Sequence, residues 1–166
     1  MEQTLVIFKP DAVQRGIIGE ILSRFEKVGL KIVGIKMVNP DRDHYYHHYE
    51  DISKLASRRG QKALDVTLDL MTTGPVIALV LEGVEAVEQV RKMAGTTEPK
   101  SAVPGTIRGD YSHMSFMHAD NVSIGVANIV HASGDLEEAK KEIKHWFKGD
   151  ELFSYQAVHE KYTQPK

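Results

Sequence analysis

Apolar positions along the chain fall into two rhythms, unbroken runs and helical stripes. Leu5-Val6-Ile7-Phe8 is short, wholly apolar and rich in β-branched residues, which predicts a strand buried on both faces. After a Gly16–Gly19 hinge, Ile18, Ile21, Leu22, Phe25 and Val28 recur at helical spacing, and Gly29 supplies a stop. Lys31–Val38 alternates, which predicts a strand with Val33, Ile35 and Met37 on one face, ending at Asn39-Pro40. Asp41 can cap a helix carrying His44, Tyr45, His47, His48 and Tyr49. Beyond the polar break Ser57-Arg58-Arg59-Gly60, a second amphipathic helix carries Leu64, Leu68 and Met71. Thr73-Gly74-Pro75 then leads into a second apolar strand, Val76–Leu81.

A short helix through Val84, Val87, Val90 and Arg91 ends near Gly95. From there to about Gly125 no period holds, and Pro99, Pro104, Gly105 and Gly109 interrupt the stretch. A loop that long within a compact domain is usually functional. Asn128–Ser133 is a further strand, and Asp135 with Glu138 forms a capping box for a helix through Leu136, Ala139, Ile143, Trp146 and Phe147. Alternating strands and helices predict a layer of helices on a sheet, an α/β or α+β class, without fixing whether the strands run parallel.

Composition narrows the chemistry. The 166 residues suit one domain, 1–166, with no cysteine for disulfides, thiol nucleophiles or zinc–thiolate sites. Twenty-one Lys and Arg against 23 Asp and Glu leave a net charge of −2, without the basic excess of a nucleic-acid binder. An anionic ligand must therefore be small and held by a few converging side chains. The apolar runs are far short of the roughly 20 residues of a membrane helix. The opening Met-Glu-Gln-Thr lacks the basic start of a signal peptide, so a cytoplasmic location is expected.

Glycine-rich phosphate cradles and nucleophile elbows are missing from the sequence, so any phosphate must be bound by side chains. His131 stands in an otherwise apolar strand with Ser133 on the same face. It is either a satisfied core histidine or a nucleophile. Glu142, bordering the buried stripe of the last helix, could reach Ser133 or His131 and fix the imidazole tautomer. Lys9, Arg91 and Arg108, each taken alone, read first as solvated charges, with a phosphate ligand as the alternative, guanidinium forks being well matched to phosphate oxygens. His44, His47 and His48, and separately His113, His118 and Asp120, have spacings that could bind a metal or could simply be polar surface.

Several motifs, in order, resemble nucleoside diphosphate kinases: Thr4–Asp11, Val13–Gly16, Gly19–Glu26, Gly74-Pro75-Val76, Pro104–Asp110 and Asn128–Ser133. The resemblance implies a ferredoxin-like, antiparallel four-stranded sheet covered by helices, an α+β fold. It implies reversible γ-phosphoryl transfer between nucleoside tri- and diphosphates through a phosphohistidine on His131, with broad base specificity. Lys9, Arg91, Thr97 and Arg108 would hold phosphates, and Asn128 would meet the ribose with Lys9. Tyr49 would support the site through its hydroxyl, while Ser133 and Glu142 would orient the imidazole. Mg²⁺ would be held mainly by nucleotide phosphates. Relative to the family, extra residues lie around 50–63 and 112–125, and the aromatic that stacks on the base has no clear counterpart, Leu64 being the nearest candidate. A homohexamer, or else a tetramer, is expected, with Val103, Ile107, Tyr111, Met114, Phe116 and Met117 buried between subunits. The contrasting expectations are a nucleotide-sensing module without turnover and a histidine-rich metal-binding protein.

Overall fold

The computed structural model describes residues 1–164. Four strands, β1 (Glu2–Phe8), β2 (Lys31–Val38), β3 (Val76–Gly83) and β4 (Val130–Ala132), form one sheet in the order β2-β3-β1-β4. All pairings are antiparallel. This is the α+β, ferredoxin-like arrangement that periodicity alone left open.

The unbroken runs of β1 and β3 are explained by their central places. Leu5 and Ile7 join Val76, Ala78 and Val80 in a core on one face. Val6 and Phe8 join Leu79 and Leu81 in a core on the other. A strand covered on both sides has no polar face to alternate. The helices divide accordingly. Phe25 of α2 (Ile18–Lys27) and Val90 of α6 (Ala86–Ala94) pack on the second face. The first is covered by Tyr45 of α3 (Arg42–Tyr46), Leu64 and Leu68 of α5 (Gln61–Met71) and Trp146 of α9 (Leu136–Trp146). Asp41 and Asp135 cap α3 and α9 as the sequence suggests, each accepting a backbone N–H from three residues on.

Two expectations change. Val33, Ile35 and Met37 do not share a buried face, because a bulge between Ile32 and Gly34 makes Val33 an extra residue in the ladder. Val33 is buried, whereas Ile35 and Met37 are 50% and 58% exposed on an edge strand. The Val33 carbonyl instead accepts the Phe153 N–H of the C-terminal segment at 2.8 Å.

The stretch from Gly95 to Gly125 is not a plain loop. It holds α7 (Ile107–Tyr111) and α8 (Phe116–Val122), capped by the Thr106 and Ser115 side chains. Elements of five and seven residues are too short to display a period. Within it Ile107 is buried in the chain's own core, while Val103 and Met117 are 67% and 66% exposed. No helix among the described residues is long and apolar enough to cross a membrane.

Candidate active site

The turn after β1 is locked to the entry of β4. Lys9 N–H donates to the Ile129 carbonyl at 2.9 Å, and Ile129 N–H donates to the Asp11 carboxylate at 3.0 Å. Pro10 opens the short helix α1 (Pro10–Gln14), whose first turn carries Asp11. Between them these contacts hold Ile129 at φ +73°, a left-handed conformation that a β-branched residue avoids and that costs about 1–3 kcal/mol. The strain sits between Asn128 and His131.

His131 pairs with Ile7 across the sheet and therefore faces α9. Its Nε2 lies 2.9 Å from Glu142 Oε1, and Ser133 Oγ donates to Glu142 Oε2 at 2.6 Å. Glu142 and Ser133 are fully buried. Burial alone would raise the Glu142 carboxyl, but the imidazoles of His131 and His48 and the Ser133 hydroxyl outweigh it and hold it near 2. A permanent carboxylate is thus an acceptor for an Nε2–H, which assigns the tautomer and places the lone pair on Nδ1. His131 itself lines a cleft of about 450 Å³.

The same cleft is lined by Lys9, Tyr49, Arg91, Thr97, Arg108 and Asn128. Lys9 Nζ donates to Asn128 Oδ1 at 2.6 Å, and Asn128 Nδ2 donates to the Thr97 carbonyl at 2.8 Å. Burial, offset in part by Asp11 and reinforced by Arg108, lowers the Lys9 ammonium to about 8. Arg108 is buried, and three of its five N–H donors go to the carbonyls of Gly95 and Val130 at 2.8 Å and of Asn128 at 3.3 Å. Burial, and then Arg91, lower it to about 10, so it stays cationic at neutral pH. Arg91 is exposed and reaches the Ser133 carbonyl at 3.5 Å. The Tyr49 hydroxyl is buried without a hydrogen-bond partner, and burial raises its pKa. Three cations and an unpartnered hydroxyl converge on one space beside His131.

Leu64 does not belong there. It is wholly buried, packed among apolar side chains in the core on one face of the sheet. The amphipathic stripe that makes Leu64 conspicuous is the stripe that α5 turns inward. Tyr49 and Phe116 are the aromatic rings of Tyr and Phe type that line the cleft.

His48 is a site residue that spacing did not single out for this role. A π-helical turn, His47–Ile52, follows α3, and in it both His48 and Tyr49 are buried. His48 Nδ1 accepts the Trp146 indole N–H at 3.2 Å, and its ring meets His131 edge to face at 4.4 Å. Burial and the neighbouring His131 push its pKa well down, so it is neutral. His44, by contrast, stacks on His145 at 3.9 Å, and His47 pairs with Asp51, so the three histidines do not converge. His48, His131 and Glu142 do approach to within 4.8 Å, a spacing compatible with a metal, but there the carboxylate already serves His131 and Ser133.

Known proteins match nearly the whole chain in sequence and fold. The family model described as nucleoside diphosphate kinase matches residues 2–152. The nucleoside diphosphate kinase of Pyrococcus horikoshii is 51% identical over 154 residues, covering 93% of this chain and 90% of its own. That of Pyrococcus furiosus is 48% identical over 155 residues, covering 93% and 88%. A solved structure, a transition-state mimic of the Borrelia burgdorferi nucleoside-diphosphate kinase with bound vanadate and ADP, is 41% identical. It aligns with a TM-score of 0.93 over 97% of this chain and 95% of its own. With the family model spanning most of its length and relatives at about half identity, the chain belongs to the nucleoside diphosphate kinase family.

Proposed function

We propose that the protein moves the γ-phosphoryl group of a nucleoside triphosphate to a nucleoside diphosphate, reversibly, by way of His131. The observation that carries this reading is the 2.9 Å contact of His131 Nε2 with a buried, permanently charged Glu142. It leaves Nδ1 as the nucleophile. The Nδ1 lone pair attacks the γ-phosphorus, a P–N bond forms, and the bond from phosphorus to the β,γ-bridging oxygen breaks. The electron pair leaves with the diphosphate product. A second diphosphate then enters, its terminal oxygen attacks the phosphorus, and the P–N bond breaks to restore the imidazole. The covalent intermediate lets one site serve both nucleotides in turn.

Phosphoryl transfer needs mainly positioning and neutralised charge. In this reading Lys9, Arg91 and Arg108 meet phosphate oxygens with Thr97, and Asn128 meets the ribose together with Lys9. The orphaned Tyr49 hydroxyl gains a partner only when phosphate or phosphohistidine occupies the cleft. Enzymes of this family require a divalent cation, and here we take it to be Mg²⁺ carried on the nucleotide's phosphates. The residues fit a metal held that way. Of the carboxylates lining the cleft, Glu138 accepts the Gly134 N–H and Asp120 lies on α8, at the far end from the cations. When bound, the ion supplies further neutralisation of phosphate charge.

A nucleotide-sensing module would need the cations but not a buried carboxylate behind a histidine, so the catalytic reading is the stronger. A coupled assay with ATP and GDP decides between them: GTP formation is expected, and nucleotide binding without it would leave only the sensor. We also take residues 1–166 as one cytoplasmic domain that assembles as a homohexamer, with a tetramer as the alternative. Ile35, Met37, Val103 and Met117 are exposed apolar groups available for burial between copies. Light scattering that found a fully active species of 18.6 kDa would refute assembly.

A further inference from the structure

One carboxylate beside the reacting end has no part in the transfer step. Asp11 stands in the first turn of α1, two residues after Lys9. Its Oδ2 accepts the Ile129 N–H at 3.0 Å, while Lys9 N–H donates to the Ile129 carbonyl at 2.9 Å. Residues 9 and 11 thus hold both backbone groups of the left-handed Ile129, two residues before His131. The other oxygen, Asp11 Oδ1, is buried and has no hydrogen-bond partner among the described residues. Neither oxygen is hydrogen-bonded to the Lys9 ammonium, whose bond goes to Asn128 Oδ1 at 2.6 Å.

That arrangement separates charge from contact. A buried carboxylate oxygen without a donor costs stability, so its presence calls for an explanation. Lys9 supplies one. Burial works against its ammonium, Asp11 works for it, and Arg108 of α7 works with burial. A carboxylate in direct contact would occupy ammonium N–H groups and repel an incoming phosphate at short range. Asp11 acts through space instead, so the ammonium keeps two of its three N–H donors for a ligand. The other titratable groups on this part of the cleft are Arg91 of α6, Tyr49 of the π-helical turn, His131 of β4 and Glu138 of α9. Glu142 lies behind His131 and is paired with it. Among the acids, Asp11 supports the Lys9 charge most strongly.

We propose that Asp11 is a positioning residue of the transfer site, holding Ile129 through one carboxylate oxygen and keeping the Lys9 side chain charged across a gap. The proposal rests on the transferase reading for the phosphate at Lys9. It adds a residue that touches neither nucleotide nor reacting atom. The role belongs to the free protein: once phosphates sit beside Lys9, their own charge keeps the ammonium protonated. From then on the Asp11 charge opposes the phosphates. Its effect on nucleotide binding therefore changes sign with pH.

Asp11→Asn removes the charge and keeps an oxygen for the Ile129 N–H. NMR on isotope-labelled lysine side chains follows the Lys9 ammonium in the free protein, assigned with Lys9→Arg. Its midpoint should lie near 8 in the wild type. In Asp11→Asn it should fall by about one pH unit, the low end of what a nearby opposite charge is worth. Calorimetry with ADP on the intact protein reads the consequence. At pH 6, where Lys9 is charged in both proteins, Asp11→Asn should bind ADP as tightly as wild type or more tightly. At pH 9 it should bind about five- to tenfold more weakly, because fewer molecules carry the ammonium. Asp11→Glu keeps the charge but not the spacing to Ile129, and its Lys9 midpoint should stay near the wild-type value even where its melting temperature drops. An unmoved Lys9 midpoint in Asp11→Asn, or an equal loss of ADP affinity at both pH values, would overturn the proposal and leave Asp11 a purely structural acid. A midpoint that moves while ADP binding at pH 9 stays unchanged would overturn it too, by removing phosphate from Lys9. None of these measurements involves phosphoryl transfer, so failure of the His131 route shows up separately, in the formation of GTP.

Discussion

At the reacting end of the cleft His131, Lys9 and Arg108 are each held by a fixed partner. Glu142 is buried and shared by His131 and Ser133, Arg108 donates to three backbone carbonyls, and Lys9 is tied to Asn128. At the far end Arg59 is exposed, Phe116 is half-buried, and their principal contact is with each other. The difference follows from what each end must do. In-line attack on phosphorus demands a nitrogen placed within a fraction of an ångström, which takes locked rotamers and satisfied hydrogen bonds. Accepting many bases demands only a flat surface. The reacting end should therefore respond to substitution in rate, and the far end in affinity.

The largest effect is expected at His131. His131→Ala should abolish transfer while ADP still binds, because Lys9, Arg91 and Arg108 remain to hold its phosphates. Loss of ADP binding in that variant would mean that the histidine serves the pocket's structure. Glu142→Gln should come next. It keeps shape but weakens the orientation of the imidazole, and by analogy with residues that orient metal ligands the rate should fall roughly 10–100-fold. The same residue has a stability signature. Its folded pKa, near 2, lies below the ordinary 4.5, so its contribution is fully present above 4.5 and is lost as pH falls toward 2. Acid unfolding monitored by circular dichroism should therefore be less pH-sensitive in that window for Glu142→Gln than for the wild type.

A smaller effect is expected from pH at Lys9. With the ammonium lowered to about 8 in the free protein, kcat/KM should fall as pH rises through 8, while kcat, measured with phosphates bound beside the lysine, should hold further. A kcat/KM flat to pH 10 would show that Lys9 does not meet phosphate. Least of all should transfer respond to Leu64→Ala. That change should lower stability by about 2–5 kcal/mol, as core truncations do, and leave the KM for ADP alone. A raised KM with unchanged melting would return Leu64 to the base subsite.

The same contrast governs what the sequence makes legible. β1 and β3 announce themselves as central strands because burial on both faces leaves no alternation, and the cap at Asp135 marks the start of α9. The reacting end is legible too. His131 is a lone histidine in an apolar strand with Ser133 on its face, and an acid such as Glu142 beside an apolar stripe stands out, whereas Lys9 and Asn128 are pointed to only by the family motifs. The far end is not. α8 has seven residues, too few for a period, and the Arg59–Phe116 stack joins positions 57 apart with no local signal. Leu64 is misleading because helical amphipathicity reports which face is buried, not which face meets a ligand. Ile35 and Met37 mislead because the bulge at Val33 cannot be seen in an alternating pattern. His48 is hidden by the π-helical turn, which breaks the α spacing on which the histidine pattern depends.

The central claim is that the phosphoryl group passes through His131. Incubating the protein with γ-labelled ATP and no acceptor should give one labelled residue, labile in acid and stable in base, at His131. The label should leave on addition of GDP, with GTP formed in equal amount. An unlabelled protein that nonetheless makes GTP, with intersecting double-reciprocal plots, would contradict the claim and point to direct transfer in a ternary complex.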